Sequence, residues 1–358
     1  MENNKATCIP NSEQNSDCTN SSNVCNSEMR PRLTIAIPTY NRSNYLKRCL
    51  DSVLQQNRDL LEILVSNNAS TDETGIMMGD YCARYPFIRY FENASNIGLD
   101  RNFLNCLEKS TGEYILLLSD DDVLMPDAVQ KIFDALDCNP SFMSLNSCAI
   151  TKEDPIRFSR PRLKEEGVLE FDDINDFMLE IGIYITYVSS LVFKKDLVDS
   201  VSNKESYIGS YFLQSFVALD TLAEKGKYII VTHCCIGTTP NHSVSYDLYE
   251  VWGRQYSKLI REKAVMCGID KTIAERIVAD SFDTHVLYFV ASIRPGKATW
   301  NRQAMLDSLD NTPSARRFCR ILMILPKQIA VPLALAKMAM ARIKRDISTL
   351  MHPSNEQS

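Results

Sequence analysis

The chain has 358 residues, 45% of them hydrophobic and 23% charged, with a formal net charge of −6 at neutral pH. That length exceeds what one hydrophobic core usually serves, so two domains, or one with a large appendage, are expected, and the acidic balance argues against nucleic-acid binding. Twelve cysteines are scattered without a C-x-x-C pair, and the adjacent Cys234-Cys235 suits neither a disulfide nor a zinc site. Free thiols in a reducing cytosol are the expectation, with Cys106 and Cys148 as small core residues.

Residues 1 to about 30 are rich in Asn, Ser and Thr and hold almost no large apolar side chains. Such a tail cannot bury enough surface to fold, and it lacks the basic start and apolar run of a secretory signal. Order is expected to begin with Leu33-Thr34-Ile35-Ala36-Ile37, a strand closed by Pro38. The polar turn Pro38-Thr39-Tyr40-Asn41-Arg42 follows, and Tyr45, Leu46, Cys49, Leu50, Val53 and Leu54 recur at helical spacing. A second unit repeats the pattern, with strand Glu62-Ile63-Leu64-Val65, a loop from Ser66 to Asp72 and a helix from about Glu73 to Tyr85. A third runs from strand Phe87 to Phe91 through Glu92 to Gly98 into a helix near Leu99 to Lys109. Strands alternating with helices predict right-handed βαβ units in a mostly parallel sheet.

The fourth strand is the centre of the pattern. Tyr114 to Leu118 are continuously apolar, as a strand buried on both faces must be, and the run ends in Ser119-Asp120-Asp121-Asp122. Three adjacent anions in a core would be costly to desolvate, so they belong where the strand leaves the sheet, the edge at which open α/β sheets bind ligands. Asp120 and Asp122 sit on alternate residues and offer hard oxygen ligands to Mg2+ or Mn2+, leaving positions open for a diphosphate. The competing structural reading is that the aspartates cap the helix starting near Pro126 and Asp127. Since all the polar loops follow strands, Thr39, Tyr40, Asn41, Asn67, Asp72, Asn96, Arg101 and the aspartates should share one edge of the sheet.

The ordered set LTIAIPTYNR, EILVSNNASTDET, NIGLDRN and GEYILLLSDDD resembles the nucleotide-sugar-binding half of inverting glycosyltransferase family 2, with the GT-A fold. The run NIGLDRNFLN before GEY is similar to the abequosyltransferase-like branch that works on bacterial O-antigens. The resemblance covers about residues 32 to 135 and extends weakly to about 245. It implies that Pro38, Thr39 and Tyr40, with Asn41 in the same turn, line a nucleoside pocket, and that Asn67 stands where the family has an Asp bonding the base. Asp120 and Asp122 match the metal-binding D-x-D positions, Asp121 lies near the ribose, and Arg101 approaches a phosphate or the base. The general base that the family places ahead of a late helix falls here on Gln214 and Ser215, which cannot take up a proton. Asp220 and Glu205 are the substitute candidates. A His from the segment Thr239 to Ser243 completes the metal shell in some GT-A enzymes; His242 is the candidate, and His233, bordering an apolar strand, reads as a core residue.

Between these positions, Phe142 to Ile150 and Tyr187 to Phe193 read as strands, residues 152 to 167 as a polar lid-length loop, Tyr207 to Lys225 as a helix stopped by Gly226, and Tyr228 to Thr232 as a strand. The last hundred residues read as helical, from Tyr249, Trp252, Tyr256, Leu259 and Ile260 onward. No acidic residue occurs from Ala315 to Arg345, where basic side chains interrupt apolar runs; no run reaches the length of a membrane span, and Pro326 and Pro332 break the segment. This composition suits the surface of an anionic membrane, the competing reading being a core-packing helix pair with a basic solvent face.

The sequence therefore predicts a disordered tail (1–30), an α/β GT-A domain (31–245) with a mostly parallel sheet flanked by helices, and a helical C-terminal region (246–358) with a basic amphipathic segment at 315–345. The expected activity is metal-dependent transfer of a sugar from a nucleoside-diphosphate sugar to a lipid-linked saccharide acceptor in surface-polysaccharide biosynthesis. The expected location is the cytoplasmic face of the membrane, with no nucleic-acid partner. A sugar-phosphate nucleotidyltransferase would want a Gly-rich basic loop after the first strand, and PTYNR is not one. A non-catalytic nucleotide-sugar-binding module would explain the missing base and Asn67.

Overall fold

The computed structural model describes residues 30–150, 163, 167–239, 246–292 and 300–351. The expected disordered tail, apart from residue 30, and nearly all of the expected lid lie outside those residues. The chain divides into two compact units, one containing the described residues up to Asp173 with Tyr184–Gly209 and those from Leu213 to Thr239, the other Ile174–Ile183, Ser210–Phe212 and the described residues from Tyr246 on.

The first unit is a mixed sheet with strands β1 (Leu33–Thr39), β2 (Leu61–Asn67), β3 (Ile88–Glu92), β4 (Tyr114–Leu117), β5 (Val123–Leu124), β6 (Phe142–Ala149), β7 (Val168–Phe171), β8 (Leu191–Lys194) and β9 (Tyr228–Thr238), in the order β3-β2-β1-β4-β8-β6-β9-β5, with β7 on β9. Helices α1 (Ser43–Leu54), α2 (Thr74–Arg84) and α3 (Leu99–Lys109) connect the first four strands, which are parallel as their alternation with helices requires. Every residue of β1 and β4 is buried, which is why these strands read as unbroken apolar runs.

Beyond β4 the sheet is not mostly parallel. β8 runs antiparallel to both β4 and β6, and β5 and β7 run antiparallel to β9. The stretch expected as a strand from Tyr187 is instead a turn of 3-10 helix at Val188–Ser190 that delivers the shorter β8 in the opposite direction. The late helix also starts further on, as α7 (Leu213–Ala223) after α4 (Ala128–Leu136), α5 (Ile174–Ile181) and α6 (Lys195–Ser200). Left-handed backbone at Gly209 and Tyr211 interrupts the expected helix.

The thiol expectation needs a second correction. β6 and β9 pair in parallel, but the register slips between Leu145 and Ser147, where β9 carries extra residues. The slip brings Cys148 and Cys234 together, with Cα atoms 6.2 Å apart, and they form a disulfide across 86 residues of sequence. Cys106, expected free and buried, is both.

The second unit is helical: α5, α8 (Lys271–Ser281), α9 (Leu287–Ser292), α10 (Arg302–Asp307), α11 (Pro313–Ile324) and α12 (Lys327–Met351), with wider π-helical turns at Glu250–Gln255, Lys258–Ala264 and Phe282–Val286. Tyr249, Phe282, Leu287, Met305 and Leu322 are among the residues of its core. Among the described residues no helix is long and apolar enough to cross a membrane.

One close approach tests the sheet directly. Gly112 donates its N–H to Thr34 Oγ1 at 2.9 Å, and a Cβ there would stand 2.7 Å from the Thr34 backbone nitrogen. Gly112→Ala should cost about 1–3 kcal/mol in denaturant unfolding through overpacking against β1, whereas Gly79→Ala, with open space around its Cβ position in α2, should be neutral or stabilising.

Candidate functional site

The register of the parallel strands builds the site. Thr39 at the end of β1 lies abreast of Asn67 at the end of β2, while β4 leaves the sheet earlier, with Leu117 opposite Ala36 and the Leu118 N–H donating to Ala36 O. The chain after β4 therefore passes Pro38 and Thr39 as it turns. There Thr39 Oγ1 donates to Asp120 Oδ2 at 2.6 Å. Arg42, just before α1, reaches Asp121 Oδ2 at 2.5 Å and Asp120 Oδ1 at 3.4 Å, and Ser119 Oγ donates to Asp121 Oδ1.

Asp122 is bound from the other side. Its Oδ2 accepts from Tyr187 OH and Ser189 Oγ, both at 2.7 Å, and its Oδ1 accepts from the Thr239 N–H at 3.2 Å. Arg48 donates to Asp121 O at 2.6 Å and to the Thr239 hydroxyl, joining α1 to the end of β9. The three carboxylates lie at the strand exit, but they are 4, 7 and 4% exposed. They do not cap α4, whose N-cap position is Asp127 in left-handed conformation.

Burial without full charge compensation shows in their protonation. Desolvation pushes Asp120 up to about 7 against the opposing pull of Thr39 and Arg42, and pushes Asp122 up to about 6, with Asp121 adding to the rise. Burial and Asp122 also hold the Tyr187 hydroxyl well above its ordinary value, so it remains a donor. Cys49, beneath the cluster, is raised by burial and is an inert thiol.

The neighbouring loops are locked by their own side chains. Asn41, with positive φ, accepts from the Thr71 N–H at 2.7 Å, and Asp72 accepts from the N–H groups of Ser43 and Thr74, tying the starts of α1 and α2 together. Tyr40 is 42% exposed beside buried Thr39. Asn67 is fully buried; its amide donates to Tyr90 OH at 2.8 Å and its carbonyl accepts from the Ser70 N–H at 3.0 Å. Asn68 bridges the loop after β3, accepting from the Ile97 N–H and donating to Asn96 Oδ1, while Asn93, Asn102 and Ser66 continue the network inward.

The remaining expected residues fall in two places. Arg101 pairs with Glu205 at 3.0 Å, both exposed, and Asp220 accepts from Tyr207 OH at 2.6 Å. Gln214 is buried; its amide donates to Thr186 O, next to Tyr187, and its Oε1 is buried without a hydrogen-bond partner among the described residues. His242 lies outside the described residues. The sequence reading missed Arg42, Arg48, Ser119, Tyr187, Ser189 and Thr239; an arginine and a serine flanking an aspartate run were visible signals, but nothing local connects Tyr187 or Thr239 to Asp122.

The donor set fits a hard divalent cation. Asp120 and Asp122 present carboxylate oxygens in a buried setting, where desolvation raises both pKa values. Among the described residues no group of three or more His, Cys, Asp or Glu side chains is arranged to hold a metal. A cation held by these two aspartates would therefore draw further ligands from water or a bound substrate.

The fold is the GT-A fold. The solved structure of TarS from S. aureus in complex with UDP-GlcNAc matches with a TM-score of 0.57, covering 87% of this chain and 89% of that one at 15% identity. Residues 34–201 match the family described as Glycosyl transferase family 2. It is similar to abequosyltransferase RfbV of Salmonella typhimurium, 31% identical over 210 residues, which are 54% of this chain and 62% of that protein. It is also similar to the GalNAc(5)-diNAcBac-PP-undecaprenol beta-1,3-glucosyltransferase of Campylobacter jejuni, 27% identical over 205 residues, 56% of this chain and 62% of that one. The chain thus spans less than two thirds of the length of these relatives.

The raised aspartates set a sign. Unfolded Asp titrates near 3.9, so between about pH 4 and about pH 7 the metal-free native state binds more protons than the unfolded chain, and its stability falls as pH rises through that window. Thermal melts should show Mg2+ or Mn2+ raising Tm more at pH 7.5 than at pH 5, and Asp120→Asn with Asp122→Asn should flatten both dependences.

Proposed function

We propose that this protein transfers a glycosyl group from a nucleoside-diphosphate sugar to a hydroxyl of a lipid-linked saccharide in bacterial surface-polysaccharide synthesis, with inversion at the transferred carbon. The observation that carries the reading is the buried Asp120-Asp121-Asp122 turn at the carboxyl edge of a GT-A sheet, held by five residues from three separate segments. The match of residues 34–201 to the family model supports the reaction class, and the undecaprenol-linked saccharide in the name of the Campylobacter relative supports the acceptor class.

In this proposal Pro38, Thr39, Tyr40 and Asn41 border the nucleoside, Asn67 acts through the loop it fastens, and Asp121 lies near the ribose. Asp120 and Asp122 would hold Mg2+ or Mn2+, which when bound supplies positive charge to the departing diphosphate. Thr39, Tyr187 and Ser189 orient those carboxylates so that their oxygens face the mouth in one geometry. Arg42, one third exposed at the same mouth, can turn toward a phosphate from its place on Asp121. Arg101 is a candidate phosphate or base contact, and His242 a candidate metal ligand. Gln214 and Ser215 do not accept a proton, so deprotonation of the acceptor falls to Asp220 or Glu205, each already held by one donor.

Incubation with a panel of nucleotide sugars and Mn2+ tests the reading. Slow release of nucleoside diphosphate without acceptor is expected, and Asp120→Ala with Asp122→Ala should lower it by about 100-fold or more, as loss of charge stabilisation at a leaving group does. Release of pyrophosphate instead would identify a nucleotidyltransferase, and ligand-induced stabilisation with no product would identify a binding module.

A further inference from the structure

Helices α11 and α12 carry apolar side chains on two faces, and the core of the helical unit uses one. Cys319, Leu322 and Met323 of α11 and Ala330, Ala334 and Met338 of α12 are buried there, with Leu287 and Val290. At the intervening positions Ile321, Ile324, Ile329, Leu333, Met340 and Ile343 are 41 to 76% exposed. Steps of three, four and seven residues place these side chains on one side of each helix, while Leu335, also exposed, lies on another. A helix in a water-soluble unit ordinarily turns polar residues outward; one apolar on both faces has a second apolar environment to meet.

The charges beside this face choose the environment. Arg317, Arg320 and Lys327 are exposed on the same two helices. No acidic residue occurs from Ala315 to Arg345 in a chain whose net charge is −6. A second copy of the chain is a poor occupant, because a two-fold contact would set these cations against their own images. Since neither helix is long and apolar enough to cross a bilayer, the face suits a helix pair lying in the plane of one.

We propose that the outer face of α11 and α12 docks on an anionic lipid bilayer, with the exposed Ile, Leu and Met side chains entering the boundary between headgroups and acyl chains. Arg317, Arg320 and Lys327 remain at the lipid phosphates. Attachment is reversible and salt-sensitive, because its two contributions are a shallow apolar insertion and a small set of screened charges. The inference stands on the helical unit alone and does not rest on the sugar-transfer reading.

Co-sedimentation of the full chain with vesicles of phosphatidylcholine, and with vesicles containing about one third phosphatidylglycerol, tests it. Binding to the anionic vesicles is expected, weakened about tenfold or more by high salt, by Ile324→Asp with Ile329→Asp and Met340→Asp, and by Arg317→Gln with Arg320→Gln and Lys327→Gln. All six positions are exposed, so thermal melts and acceptor-free nucleotide release should be unchanged, which separates failure of this surface from failure of the reaction. No sedimentation with either vesicle, or equal binding to neutral ones, overturns the proposal. So does a dimer in light scattering that the triple aspartate variant converts to monomer.

Discussion

Three carboxylates on consecutive residues are buried at the end of a central strand, and the rest of the first unit is arranged around making that tolerable. An ionised carboxylate taken out of water without partners would be neutralised by a shifted pKa or would move to the surface. Here each is met by donors from different parts of the chain, Thr39 and Arg42 from the first loop, Ser119 from the turn itself, Tyr187 and Ser189 from the 3-10 turn, and Thr239 from the end of β9. Compensation is incomplete, since desolvation still wins at Asp120 and Asp122. The burial of these carboxylates connects the packing of the fold with the chemistry proposed for it.

The donors can arrive because the loops are rigid for reasons of their own. Asn41 fastens the first loop to the second, Asp72 fastens the second to the starts of two helices, and Asn68 fastens the second to the third. These contacts use side-chain amides and carboxylates as substitutes for backbone partners, which is how Asn and Asp act in turns generally. The abundance of Asn in these loops, which from sequence alone could be taken for ligand-binding residues, is thus largely structural. Asn67 is the clearest case, with both ends of its amide occupied inside the protein.

The helical unit follows a different logic. It has its own core, built with π-helical turns that shift the register of the first long helix so that Tyr249, Tyr256 and Leu259 all reach the interior. Its last two helices have more apolar surface than that core can take up. The same two helices that close the core with one set of side chains expose another apolar set, together with Arg317, Arg320 and Lys327.

From the sequence alone came the first four strands, their connecting helices, the end of β4 in the aspartates, and the basic apolar terminus. Each is written in a local period, alternate or continuous for strands and three to four residues for helices, or in an abrupt change from apolar to acidic. Tertiary structure decided what meets Asp122, that Cys148 pairs with Cys234, and that β8 runs against β4. Those contacts join segments 65 to 117 residues apart in the chain, and at such separations partners are selected by how whole elements pack rather than by any pattern along the backbone.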